Sequence, residues 1–173
     1  MDKNHARTLL GKLIGLPLWA AGRAGNLEWF QFGAQHTVID EFRGTEKVVG
    51  EYALHVQCAW RIIGSSGIEV ASHDRYYPAS GEANIDLADF EWDRPGKNKC
   101  DEKISALFAL RESEPFIVTN VEIDSVGSIR LMLGETYALE VFPDSSLSRE
   151  QWRLFQPYQN ADEIVLTGQG FEN

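Results

Sequence analysis

One short phrase occurs twice in this chain, and it narrows the folds open to it. Gly50-Glu51-Tyr52-Ala53-Leu54-His55-Val56 returns as Gly134-Glu135-Thr136-Tyr137-Ala138-Leu139-Glu140-Val141, with one threonine inserted. In each copy the larger apolar residues alternate with small or polar ones, which is the period-2 pattern of a strand with one buried face. Upstream, Gly25 and Gly127 each open a further apolar-rich run, at Leu27–Phe32 and Ile129–Leu133. The expectation is an α+β fold, mostly antiparallel sheet, built from two similar strand–turn–strand–strand units with two or three short helices. The units would span about 15–77 and 116–167 of a single domain, joined by a loop-plus-helix segment at 78–115.

A chain of 173 residues has room for one sizeable core, and its 43% hydrophobic and 24% charged residues place it with globular sequences. No apolar run approaches the roughly 20 residues of a membrane helix. The N-terminal apolar stretch is broken by Gly11, Lys12, Gly15 and Pro17, so it lacks the uninterrupted core of a signal peptide. A cytoplasmic location is expected. Two cysteines are too few for a disulfide framework, and Cys58 and Cys100 read as reduced thiols.

The net charge of −10 is uneven. Residues 1–111 carry 13 basic and 15 acidic side chains, a net of −2, whereas residues 112–173 carry 3 and 11, a net of −8. Such a field argues against binding a phosphate backbone and suits either simple solubility or a basic partner.

Along the chain, the spacing of Ala6, Leu9, Leu10, Leu13 and Ile14 predicts a helix over 5–14, and a strand starts near Leu16. Residues 34–49 read as a loop or a short strand. Glu51–Ile63 reads as one long strand, turned back at Gly64-Ser65-Ser66-Gly67 into a hairpin. Asp101 is placed to cap a helix over about 102–111 with Ile104, Leu107 and Phe108 on its apolar stripe. Ser148 and Gln151 fit a capping box flanked by Leu147 and Trp152, which predicts a short helix through Phe155; Glu163–Thr167 reads as the last strand.

No motif here names a reaction. His55 shares the polar face of its strand with Glu51 and Arg61, but lacks a second partner. His73-Asp74-Arg75 alternates faces if it is a strand, so it reads as a salt-bridged strand end. The pairs Asp40/Glu41, Asp101/Glu102 and Asp162/Glu163 fall at element ends, and Arg94–Lys99 reads as a solvated turn. No metal-ligand spacing, cofactor motif or catalytic residue is identified. Trp92, between Glu91 and Asp93, is the tryptophan most available to a partner.

The residues Leu16-Pro17-Leu18-Trp19, Gly50-Glu51-Tyr52, Cys58-Ala59-Trp60-Arg61, Val141-Phe142-Pro143-Asp144 and Gln151-Trp152-Arg153-Leu154-Phe155 resemble a group of small bacterial proteins without assigned activity. The resemblance implies a bacterial cytoplasmic origin and supplies no site residues. The function expected is therefore a non-catalytic module that binds a basic protein, a toxin being one such partner, and neither nucleic acid nor membrane. Its contact residues would be Glu140, Asp144, Glu150, Asp162 and Glu163. The alternative is a small enzyme or ligand-binding protein with a site near His36, His55 and His73.

Overall fold

A computed structural model describes residues 3–40, 43–82 and 84–172. Its elements are α1 (Lys3–Gly11), β1 (Pro17–Ala24), β2 (Leu27–Ile39), β3 (Glu46–Val56), β4 (Ala59–Gly64), β5 (Gly67–Ala71), α2 (Lys99–Ala109), β6 (Phe116–Ile123), β7 (Ile129–Leu133), β8 (Tyr137–Phe142), β9 (Glu150–Phe155), β10 (Ile164–Thr167) and β11 (Gly170–Phe171). Short 3-10 turns lie at Ser72–Tyr76 and Ser80–Glu82. Among the described residues no helix is long and apolar enough to cross a membrane.

All eleven strands join one antiparallel sheet in the order β11-β10-β9-β3-β2-β1-β6-β7-β8-β4-β5. The expected α+β fold of two similar units is thereby corrected. The first phrase lies wholly in β3, while the second is a turn at Gly134–Thr136 followed by β8, and the two strands belong to a single ladder to which the helices are two additions. The physical reason lies at Gln57 and Cys58. The run expected to be one strand bends there, and its halves β3 and β4 pair with different neighbours. The ladder from β3 through β2, β1, β6, β7 and β8 thus reaches β4, two residues from where it began. The sheet rolls around its own inner face.

That inner face follows the alternation of the sequence. Cross-strand partners share a face, so Phe30 and Leu54 lie beside Leu154 on one half, while Ile62, Leu139 and Leu131 form a row on the other. The halves meet where Phe30 packs edge-on against Trp60, ring centres 5.3 Å apart. Helix α2 packs against β1, β5 and the 72–76 turn, burying Cys100, Ile104 and Leu107. Its cap is Asn98, whose side chain accepts a hydrogen bond from the Asp101 amide, rather than Asp101 itself.

Three local expectations are also corrected. Residues 34–39 and 46–49 extend β2 and β3 into one long hairpin. His73-Asp74-Arg75 lies in a 3-10 turn. The helix expected after Ser148 is strand β9. A helix this short closes few internal hydrogen bonds, whereas β9 pairs with β3 on one side and β10 on the other. Gln151 uses its side chain on Asp144 N and Arg149 O rather than on a helix start. Leu147, the supposed staple, is 66% exposed. Trp152 is fully buried, and its indole N–H donates to Gly127 O at 2.8 Å.

Truncation at these positions separates strand from helix. Trp152→Ala should lower stability by about 3–5 kcal/mol, the range for a buried aromatic. Ser148→Ala should stay within about 0.5 kcal/mol, as surface changes do. Denaturant melts of the two variants check both values.

Candidate functional site

A dense polar network surrounds Arg23, near the end of β1. Its side chain is 6% exposed. Nε donates to Asp101 Oδ1 at 2.7 Å and Nη2 to Asp101 Oδ2 at 3.1 Å. Nη1 donates to Asp93 Oδ1 at 2.8 Å and to Gly25 O, while Nη2 also reaches the carbonyls of Trp92 and Arg94. Asn98, fully buried, adds a bond from Nδ2 to Trp92 O at 2.9 Å. One guanidinium therefore fastens the 92–96 loop and the start of α2 to the sheet. Paired, charge-assisted bonds of this kind are among the stronger ones in proteins.

Behind Arg23 lies a cleft of about 580 Å³, walled by Ala21–Gly25, Asp93, Pro95, Gly96, Asp101, Ile104 and Ser105, with Arg43 at its rim and Glu28 inside. Glu28 is the cross-strand partner of Arg23 and shares the inner face of β2 with Phe30 and Phe32. It is 2% exposed and has no hydrogen bond or ion pair among the described residues. Burial pushes its carboxyl up to about 8, against the opposing field of Arg75. Asp101 pushes it up further, and Arg23 pulls it down. Glu28 is thus mostly protonated at neutral pH. Arg75, itself buried, is turned elsewhere: Nε donates to Ser72 O and Nη1 to Asn26 O.

On the surface beside this network stands an aromatic cluster. Tyr76 meets Trp92 edge-on at 5.5 Å, and His73 meets Tyr76 at 5.2 Å and Tyr77 at 6.2 Å. The Arg23 guanidinium lies 5.9 Å from the centre of the Trp92 ring and that of Arg75 lies 5.7 Å from Tyr76. Tyr76 is 45% and Tyr77 54% exposed, while Trp92 is half-buried.

The residues singled out from the sequence fall elsewhere. Glu140 is 6% exposed on β8, gripped by Arg61 at 2.6 Å and Arg130 at 2.7 Å. Glu150 pairs with Arg153 through both oxygens, and Glu163 lies 3.4 Å from the same arginine. Asp144 and Asp162 are exposed. Glu150 and Glu163 are thus brought together across Arg153, and Glu140 stands on a different stretch of sheet.

The three histidines are not brought together. His36 stacks on Tyr158 at 3.8 Å, His55 packs edge-on to Phe155, and His73 joins the aromatic cluster. None lines the cleft at Glu28. Among the described residues no group of three His, Cys, Asp or Glu side chains is placed to hold a metal ion. Both cysteines are free and buried, and burial pushes the Cys58 thiol up to about 12 and raises that of Cys100. Compared with protein-family models, curated proteins and solved structures, the chain matches none.

Sequence reasoning passed over Glu28 and Arg23. The available signal for Glu28 was its spacing, two and four residues before Phe30 and Phe32, which puts a carboxyl on an apolar face.

The Glu28 carboxyl has a consequence for stability. Its folded pKa is raised from the ordinary value of 4.5, so between about 4.5 and 8 the folded state holds a proton that the unfolded state has lost. Its contribution to stability therefore falls as pH rises through that window. His55 acts oppositely: burial and then the Arg153 charge lower it to about 4, so its contribution rises with pH from about 4 to 6.5. The two offset each other below about 6.5, and the net decline should appear between about 6.5 and 8. At roughly 1.4 kcal/mol per pKa unit it amounts to a few kcal/mol at most. Urea melts of the protein across pH 5–9 should show it, and Glu28→Gln should abolish it.

Proposed function

We propose that this chain is a non-catalytic protein-binding module for a basic partner, with a docking face centred on His73, Tyr76, Tyr77 and Trp92. The observation that carries the reading is the aromatic cluster itself: Tyr76 packs edge-on against His73 and Trp92, Tyr77 lies tilted beside His73, and Arg23 and Arg75 lie against Trp92 and Tyr76. Tyrosine, tryptophan and arginine dominate the energetic centres of protein interfaces. Rings already held in place lose less conformational entropy on association. The same loop carries Asp86 and Asp89 together with exposed Ile85 and Leu87, while its Glu91 and Asp93 face Arg94 and Arg23. An apolar centre with an acidic rim complements a basic surface.

The acidic residues of the C-terminal third take part in this proposal as field rather than contact. Asp144 and Asp162 are free to act at long range, while Glu140, Glu150 and Glu163 already face arginines. A basic toxin neutralised inside the producing cell is the kind of partner that fits. A cytoplasmic location belongs to the same reading, in keeping with two free, buried thiols.

The test begins with a basic protein recovered from the native lysate and purified. Its affinity for the chain should fall as salt rises, mainly through the on-rate. Tyr77→Ala and Trp92→Ala should each weaken it by about 2 kcal/mol or more, the hot-spot range, and Leu147→Ala should leave it unchanged. An affinity untouched by both aromatic truncations would contradict the docking face.

A further inference from the structure

The cleft behind Arg23 contains an acceptor for which the described residues supply no donor. Glu28 lines it from the inner face of β2, almost wholly buried and without a hydrogen bond among the described residues. The neighbouring cations do not meet this need. Arg23 directs its donors at Asp93, Asp101 and three backbone carbonyls, and Arg75 donates to Ser72 O and Asn26 O. A buried carboxyl with no partner is destabilising, and an ionised donor satisfies it better than a neutral one.

From this we infer that the cleft takes up an alkylammonium group, which binds with its nitrogen at Glu28 and its methylene stem along Ala21, Ala24, Pro95 and Ile104. The volume of about 580 Å³ exceeds what a lysine side chain needs. The walls are apolar where such a stem would lie, and long cationic side chains bury their stems while the charged head finds polar company. At the lip stands Asp93, 63% exposed, with only Oδ1 engaged by Arg23. Asp93 also belongs to the loop of the aromatic face. A lysine projecting from a partner docked there would meet the lip first and Glu28 last. That the lysine belongs to a docked partner rests on the function proposed above; the chemistry of the cleft does not.

Binding moves a proton. The groups facing Glu28 are Arg23 from β1, Arg75 from the 72–76 turn, Cys100 and Asp101 from α2, and Asp93 from the loop. With Glu28 protonated when the cleft is empty, entry of an ammonium ion ionises it, and one proton leaves to solvent for each ligand bound. Arg43, which also lines the cleft, carries the same sign of charge as the incoming ion.

The experiment uses the full chain labelled with carbon-13 at glutamate carboxyls, titrated with n-butylammonium chloride and, separately, with n-butanol. The ammonium ion should shift the Glu28 resonance and lower its titration midpoint by at least about one unit, a tenfold coupling. Butanol should do neither. Glu28→Gln should weaken n-butylammonium binding at least tenfold, Ala24→Trp should block it from an exposed position, and Arg43→Ala should strengthen it. Equal binding of butanol, or wild-type affinity in the Glu28→Gln protein, would overturn the inference. A blocked tripeptide with a central lysine, compared with free spermidine, separates a partner's lysine from a small amine; binding of either upholds the cleft chemistry and binding of neither overturns it. A basic protein whose affinity falls with Tyr77→Ala yet ignores Glu28→Gln would refute the assignment of that lysine to the partner and leave the docking face standing.

Discussion

Arg23 is the interaction on which the organisation of this surface depends. The 92–96 loop has no regular secondary structure to hold it. What orders it is a set of bonds from one side chain of β1, converging on Asp93, Asp101 and the carbonyls of Trp92 and Arg94. Burying a guanidinium is costly unless every donor is met and the charge is balanced. Here every donor is met, and two carboxylates more than neutralise the one cation. The same side chain underlies the Trp92 ring and closes one wall of the cleft containing Glu28.

The rolled sheet makes that arrangement possible. Because β3 runs into β4 through two residues, the halves of the ladder face each other and leave an end for α2 to cover. Glu28 lies where this covering element, the 72–76 turn and the inner face of β2 meet. An apolar residue at that position would have packed there without penalty. A carboxyl instead leaves the site with an unmet donor requirement, and the fold tolerates it by keeping the group neutral.

Much of the sheet was legible from sequence because its signals are local. The Gly64–Gly67 turn, the alternation through Tyr52, Leu54 and Val56, and the stripe Ile104–Leu107 each depend on neighbours a few residues away. Strand β9 was not legible for the opposite reason. Ser148 to Gln151 satisfies the pattern of a helix start, and only the distant strands β3 and β10 decide against it. The two similar units dissolve in the same way, since a period-2 phrase reports a strand but not which strands flank it. The site was hidden further still. Two of the charges that face Glu28, Arg75 and Asp101, are 47 and 73 positions away, and nothing beside Trp92 in the sequence reveals the arginine beneath it.

Charge shows the same divide between counting and placement. The C-terminal third holds most of the net negative charge, yet Glu140 is matched by two arginines and Asp124 accepts the amides of its own turn. The most direct measurement is hydrogen–deuterium exchange on an Arg23→Met variant. The expected result is rapid exchange at the amides of Gly96, Lys97 and Asp101, which are bonded within the clamped segment, with β2 and β3 as protected as before. Unchanged protection at those three amides would contradict the role given to Arg23, and so would loss of protection across the whole sheet.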